Sequence, residues 1–223
     1  DVCSSDLIED CAHAMNARWK GRHVGTFGHL GMFSFQEFKQ LSTGDGAMLT
    51  CTDPALAEKM ETVWRFSGES PVHMTLNWRM NEMTAAMGLA QLQRVDSIIR
   101  DYYNVTLNLL NDAIAGCPWL KPRVVPPEAG QSGYWFACAW QGDRFGLDYQ
   151  RFQKITQELD IGLRFGFNQQ PPYAFDFFKE GHVYGPNCPT RCPYFTARSE
   201  YRYRPGLCPV TEDLMPRLIT ANL

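Results

Sequence analysis

Gly31-Met32-Phe33-Ser34-Phe35-Gln36-Glu37-Phe38-Lys39-Gln40-Leu41-Ser42-Thr43-Gly44-Asp45-Gly46-Ala47 is the stretch on which the reading of this chain turns. An apolar run closes on Ser34, a polar turn follows, and one lysine stands between that run and a Gly-Asp-Gly corner. Residues 30–35 and 47–51 read as two short strands, and Gly44 and Gly46 supply the flexible corner between Lys39 and the second. Upstream, Leu7-Ile8 leads into Glu9-Asp10, as a parallel strand does when polar residues occupy its carboxyl end. Open α/β sheets place their ligand chemistry at that edge. Residues 18–25 are polar and glycine-punctuated, a loop or hairpin.

Downstream, Asp53 caps a helix that Pro54 opens and that runs to about residue 66. Residues 80–115 carry apolar positions mostly three or four apart (Met83, Met87, Ala90, Val95, Ile98, Tyr102, Leu109), which predicts one long helix bridging two domains. Gly88 is its weak point, and a break is expected near Asp101. The texture changes beyond Gly116-Cys117-Pro118. Val124-Val125, residues 134–140 and residues 161–167 read as strands, and residues 149–159 as an amphipathic helix. Residues 168–209 are rich in proline and aromatics and read as irregular. Thr211-Glu212-Asp213 caps a final helix predicted to run to Leu223.

Composition bounds the function classes. The chain has 223 residues, 44% of them hydrophobic, enough for a substantial core. A net charge of −3 leaves no footprint for nucleic acid or an anionic membrane, and no apolar run reaches the length of a spanning helix. The expectation is a soluble, cytoplasmic protein. Cys11, Cys51 and Cys138 lie in apolar segments, where a reduced cysteine acts as a small hydrophobe. His182, Cys188, Cys192 and Cys208 could be counted as zinc ligands, but their spacing fits no knuckle, so no metal is expected. Residues 1–7 have no initiator methionine and translate one frame of a widely used sequencing adapter. They are read as a non-native scar and set aside.

A second level of order lies in the motifs. Glu9-Asp10-Cys11-Ala12-His13-Ala14 is followed by Gly21, Gly25 and Gly28, by Ser34-Phe35 with Lys39, and by Gly44 with Gly46. Asn77-Trp78-Arg79-Met80 and Ala85-Ala86-Met87-Gly88-Leu89-Ala90-Gln91-Leu92 complete the series. Over about residues 8–100 this resembles the DegT/StrS family of pyridoxal-phosphate (PLP) sugar aminotransferases. Its pattern runs E-D-x-A-Q/H-A, G-x-x-x-G-x-x-G, S-F-x-x-x-K, G-x-G, N-x-R-M and A-A-x-G-x-x-Q-L. Gly44-Asp45-Gly46-Ala47 departs mildly from the family's commoner G-E-G-G.

The resemblance implies an α/β fold: part of a fold-type I PLP-transferase large domain, a mostly parallel sheet with helices, followed by an α+β small domain. Residues 8–100 would be the later part of the large domain, and 101–223 a connecting helix with the small domain. It further implies PLP held by Asp10 at the pyridine nitrogen, His13 beside the ring, Ser34 at the phosphate and Lys39 at the aldehyde carbon. Asn77 would reach the phosphate of the partner subunit's PLP, making the active unit a homodimer. Substrates would be a keto sugar, usually nucleotide-linked, and glutamate or glutamine as amino donor. The family's N-terminal portion, with a phosphate loop and a ring-stacking residue, is absent, so a fragment of this extent is expected to bind PLP poorly.

Plainer readings stand beside these. A lone lysine near a glycine corner is usually solvated, His13 alone would be structural, and Ser34 could satisfy backbone at a strand end. Asn77 could cap the following helix, Arg79 reads as an ion-pair partner, and Met80, Met83 and Met87 as core or interface packing. The aromatic and proline-rich residues 164–173 lie where family members line the sugar site, although such loops also pack without function. A dehydratase or epimerase that keeps the lysine, or a non-catalytic regulatory paralogue, are the rival functions.

Overall fold

The computed structural model describes residues 7–64, 78–167, 170–180 and 204–223. β1 (Ile8–Asp10) ends on its acidic pair as expected, and a hairpin follows in β2 (Arg18–Trp19) and β3 (Arg22–His23). Lys20 and Gly21 at its tip both take positive φ, the backbone of a two-residue type I′ turn. β4 (Leu30–Ser34) pairs parallel with β1, setting Asp10 opposite Met32, and antiparallel with β5 (Ala47–Cys51). The sheet order is β1-β4-β5, so one of its two pairings is parallel. The fold is α/β, with helices and mixed sheets.

α1 (Pro54–Trp64) begins at a cap in which the Asp53 carboxylate accepts the Ala55 N–H at 2.9 Å. The single long helix predicted over residues 80–115 is a series instead. α2 (Glu82–Leu92) stops at a turn through Gln93 and Arg94, α3 (Val95–Ile98) runs into a π-helical turn (Ile99–Tyr103), and α4 (Asn104–Ala113) completes it. Asp101 lies inside the π turn and Gly88 does not interrupt α2. The break and the wide turn bring Val95 and Ile99 into one core with Phe35 and Leu41, against which Met80 and Tyr103 pack. Burial overrides the regular period here.

The described residues divide into two compact units. The first holds the residues up to Leu110, with Val124–Tyr134 and Leu223; the second holds Asn111–Arg123 and Trp135–Asn222. β6 (Leu120–Pro122) belongs to the second unit, whereas β7 (Ala129–Gly130) pairs with β2 in the first. Val124-Val125, predicted as a strand, joins no ladder; the pairing falls on β6 instead.

In the second unit β8 (Trp135–Trp140) alternates strictly, burying Phe136, Cys138 and Trp140. α5 (Tyr149–Glu158) is capped by Asp148, whose carboxylate accepts the Arg151 N–H at 2.9 Å. The strand expected over residues 161–167 shrinks to β9 (Arg164–Phe165), because Asp160 and Gly162 turn through positive φ just before it. α6 (Asp176–Lys179) is one turn long. The final helix does not reach Leu223. α7 (Pro209–Leu214) gives way to a 3-10 turn around Pro216, and β10 (Leu218–Asn222) follows. Proline removes the helical donor and the β-branched run after it suits a strand. β10 pairs with both β8 and β9, giving an antiparallel sheet in the order β6-β8-β10-β9. No helix among the described residues is long and apolar enough to cross a membrane.

Candidate active site

Adjacent residues of β1 face opposite sides of the sheet, so Glu9 and Asp10 do different work. The Glu9 carboxylate accepts backbone N–H groups from Gly25 at 2.7 Å and from Phe27 and Gly28 at 2.6 Å. Desolvation pushes its pKa up, but the three N–H donors and nearby Arg22 outweigh that and hold it below the ordinary 4.5. Gly25, with φ +79°, can only be glycine: a Cβ there would lie 2.6 Å from the Phe33 ring. Glu9 is therefore the anchor of the glycine loop, a role that sequence reasoning did not assign.

Asp10 stands exposed at the carboxyl end of β1, its Oδ1 accepting the Ala12 N–H at 3.0 Å. That local turn, continued by Ala14 N–H to Cys11 carbonyl at 3.0 Å, brings the chain round to His13. Ser34 ends the parallel neighbour β4, so its hydroxyl belongs to the same edge of the sheet as Asp10. Its Oγ accepts the Gln36 N–H at 3.3 Å.

The lysine loop between β4 and β5 is pinned at several points. Phe35 N–H donates to the Gly46 carbonyl and Thr43 N–H to the Phe35 carbonyl, both at 2.9 Å. Within the loop, Lys39 N–H donates to the Gln36 carbonyl at 2.9 Å, and Leu41 anchors the loop in the core. Gln91 of α2 grips Ser42 on both sides, accepting its N–H at 3.1 Å and donating to its carbonyl. Gly88 lets α2 approach, since a Cβ there would sit 3.3 Å from the Thr43 methyl. The A-A-x-G-x-x-Q-L motif thus has a physical purpose: it fixes the loop that carries the lysine.

Tyr134 joins these segments. Its ring stacks on His13 with centroids 4.2 Å apart and planes at 25°, and Lys39 Nζ lies 5.2 Å from its centroid, within cation–π range. Burial, then the positive charge of Lys39, lower the His13 pKa below 6.5, with Asp10 opposing. His13 therefore feels Lys39 and Asp10 together, so these three motif residues lie in one electrostatic neighbourhood. The sequence pattern reads Tyr134 as the first residue of a strand, and nothing in it links the ring to His13 or Lys39, which are distant in the chain.

Several expectations fall elsewhere. Asn77 and the candidate zinc ligands His182, Cys188 and Cys192 lie outside the described residues, and among those described no His, Cys, Asp or Glu group could hold a metal. Arg79 is exposed, and Met80 packs on the core while Met83 and Met87 are exposed. Of residues 164–173, Phe165 packs edge-on against Tyr149 and Phe152, and the Tyr173 hydroxyl donates to Glu212. These side chains are held by packing and hydrogen bonds within the second unit.

Residues 4–192 match the DegT/DnrJ/EryC1/StrS aminotransferase family. The chain belongs to that family. It is 51% identical over 186 residues to the L-glutamine:2-deoxy-scyllo-inosose aminotransferase of Streptomyces kanamyceticus, a match covering 75% of this chain and 42% of that protein. With the GDP-perosamine synthase of Caulobacter vibrioides it shares 31% over 183 residues, 75% of this chain and 47% of the relative. Among solved structures, the aminotransferase from Psychrobacter cryohalolentis superposes with a TM-score of 0.76 at 22% identity, over 97% of this chain and 56% of the other. A DegT DnrJ EryC1 StrS aminotransferase from Brucella abortus gives 0.75 at 19% identity, over 98% and 52%. Both confirm the fold. The chain spans between about a quarter and a half of the length of the curated relatives it matches. The family's cofactor is PLP, and the groups present fit it: a carboxylate for a ring nitrogen, a primary amine for an aldehyde, and a hydroxyl for a phosphate.

Proposed function

We propose that the protein is a PLP-dependent aminotransferase that moves an amino group from glutamate or glutamine to a keto sugar, nucleotide-linked as in much of its family. The observation that carries this reading is the neighbourhood of Asp10, His13 and Lys39, three motif residues gathered from two chain segments at one end of the sheet. PLP, when bound, supplies the aldehyde and the electron sink. Asp10 would keep the ring nitrogen protonated, since an opposite charge at hydrogen-bond distance favours the charged form. Ser34 binds the phosphate. Lys39 would hold the aldehyde carbon, and its amine would be the group that moves the proton at the reacting carbon. His13, whose pKa partial desolvation and Lys39 lower, would lie beside the ring.

In this reading residues 8–100 are the later part of the cofactor-binding domain, and 101–223 the connecting helix and small domain. Asn77 reaches the partner subunit's cofactor phosphate in a homodimer. A second acceptor class has an observation in its favour. The two relatives named as L-glutamine-dependent aminotransferases of scyllo-inososes are 51% and 39% identical to this chain, against 31–36% for the GDP-perosamine synthases. That supports a free keto-cyclitol as the second acceptor class.

The test supplies the full-length enzyme and PLP with glutamine or glutamate and either a nucleotide-linked keto sugar or an inosose. Release of the 2-oxo acid, with an amino group on one acceptor, is expected. Loss of water from the sugar with neither donor consumed would make it a dehydratase. A full-length protein that shows no absorbance from lysine-bound PLP once free PLP is removed would be a non-catalytic paralogue.

A further inference from the structure

One turn of the first unit touches both segments that carry the chemistry. Ser132 is buried; its Oγ donates to the His13 carbonyl at 2.9 Å, and its own carbonyl accepts from Gln40 Nε2, next to Lys39. Gly133 follows at φ +68°, and a Cβ there would lie 2.7–2.8 Å from Tyr103 and Asn104. Tyr103 ends the π turn, so the widened helix and the missing side chain together seat this segment. Tyr134 comes next, with His13 stacked on its ring and the Lys39 ammonium at its face. Burial, and then Tyr134, raise the Tyr103 hydroxyl pKa.

We propose that Tyr134 is a positioning residue: its ring, seated by the Ser132-Gly133 turn, holds the Lys39 amine and the His13 imidazole in a fixed relation to each other. The proposal rests on the role given to Lys39 above. The chemistry explains why an aromatic ring serves here. A lysine side chain is long and flexible, and proton transfer demands that its nitrogen come within hydrogen-bond reach of successive atoms. A carboxylate would trap the ammonium in an ion pair. A ring face attracts it, restricts its swing and accepts no proton. Ser132 adds the second half of the device: its hydroxyl donates to the His13 carbonyl and its carbonyl accepts from the Gln40 side chain, which couples two loops that the sheet alone does not connect.

The test compares Tyr134→Leu, Tyr134→Phe and Ser132→Ala in the full-length protein. In the cofactor-free form, NMR titration of His13 reads the stack directly. Tyr134→Phe keeps the low midpoint, and Tyr134→Leu moves it up towards 6.5. In the loaded enzyme, Tyr134→Leu lowers kcat about tenfold or more while the acceptor KM changes less than about threefold, and Tyr134→Phe stays within about threefold of wild type in both. A folded Tyr134→Leu protein with an unchanged His13 midpoint and kcat overturns the proposal. Should Tyr134→Leu not fold, Ser132→Ala decides by the same two readings, with a smaller rise and a loss of about threefold. A wild-type protein that PLP does not colour overturns the reading of Lys39, whereas the cofactor-free titration still decides whether Tyr134 holds His13.

Discussion

The two units are held together by different means. In the second, strict alternation along β8 and a cluster of rings do the work: Trp140, 1% exposed, meets Phe152, Tyr149 and Trp119 at centroid distances of 5.1–5.5 Å. In the first unit the buried cluster around Phe35, Leu41, Val95 and Ile99 is small, and apolar residues of the sheet such as Ile8, Met48 and Leu49 are exposed. Its loops are set by polar side chains that seize backbone groups, namely Glu9 on the glycine loop, Gln91 on Ser42, Gln40 on Ser132 and Ser132 on His13. A core of rings provides stability without caring where any one polar atom lies. Side chains that grip backbone provide less stability but fix atoms, which is what the role proposed for Lys39 needs.

The comparison breaks most visibly at Lys39. Replacing Lys39 by alanine in the full-length enzyme should abolish covalent capture of PLP, read by borohydride reduction and mass spectrometry, and cut turnover by about 10³-fold or more. Its melting temperature should not fall, because the loop is anchored by Phe35 and Leu41 rather than by Lys39. Trp140→Ala should do the opposite, destabilising by about 3–5 kcal/mol in denaturant titration through lost ring contacts and a residual cavity. An equal loss of stability from both changes would erase the distinction between the units.

Glu9 sits between these extremes. Glu9→Gln keeps the shape but removes the charge that binds three N–H groups, and should cost about 1–3 kcal/mol. The folded carboxyl has a pKa below 4.5, so it binds a proton less readily than in the unfolded chain. Its stabilisation is therefore complete above the unfolded value and is lost as pH falls through the folded one. Unfolding followed from pH 7 down to pH 3 should show a steeper acid loss for the wild type than for Glu9→Gln. His13 acts in the same direction at higher pH: with its folded pKa below 6.5, stability falls as pH drops below that value.

Much of this was legible in the sequence, and the limit has a physical form. Asp10, Ser34 and Lys39 could be placed because strand ends and glycine corners are local features, and the motif spacing supplied their order. The Glu9 and Gln91 anchors stood inside quoted motifs, yet which backbone they grip depends on loops meeting in space. Tyr134 is further from reach, since a turn that packs on a π-helical bulge leaves no periodic trace. The last strand was missed for another reason. Thr211-Glu212-Asp213 is a sound helix start, but Pro216 ends the helix and Leu218–Asn222 finds two partners, β8 and β9. Helix signals are local and strand pairing is not.

The smallest expected effect is also the sharpest test of the contrast. Gln91→Ala deletes two hydrogen bonds to Ser42 and leaves that half-buried backbone to find other partners, so it should cost about 1 kcal/mol. The cost should not stop at stability, because Ser42 lies three residues from Lys39 in the same loop. Turnover should fall about two- to fivefold with the acceptor KM unchanged, the mark of a reacting group held less well. Gln157→Ala is the control: an exposed glutamine on a helix of the ring-packed unit, whose loss should change stability by less than about 0.5 kcal/mol and turnover not at all. If the two glutamines proved equivalent by calorimetry and kinetics alike, the claim that side chains gripping backbone set the lysine loop would fail, and the core around Leu41 would have to account for its placement.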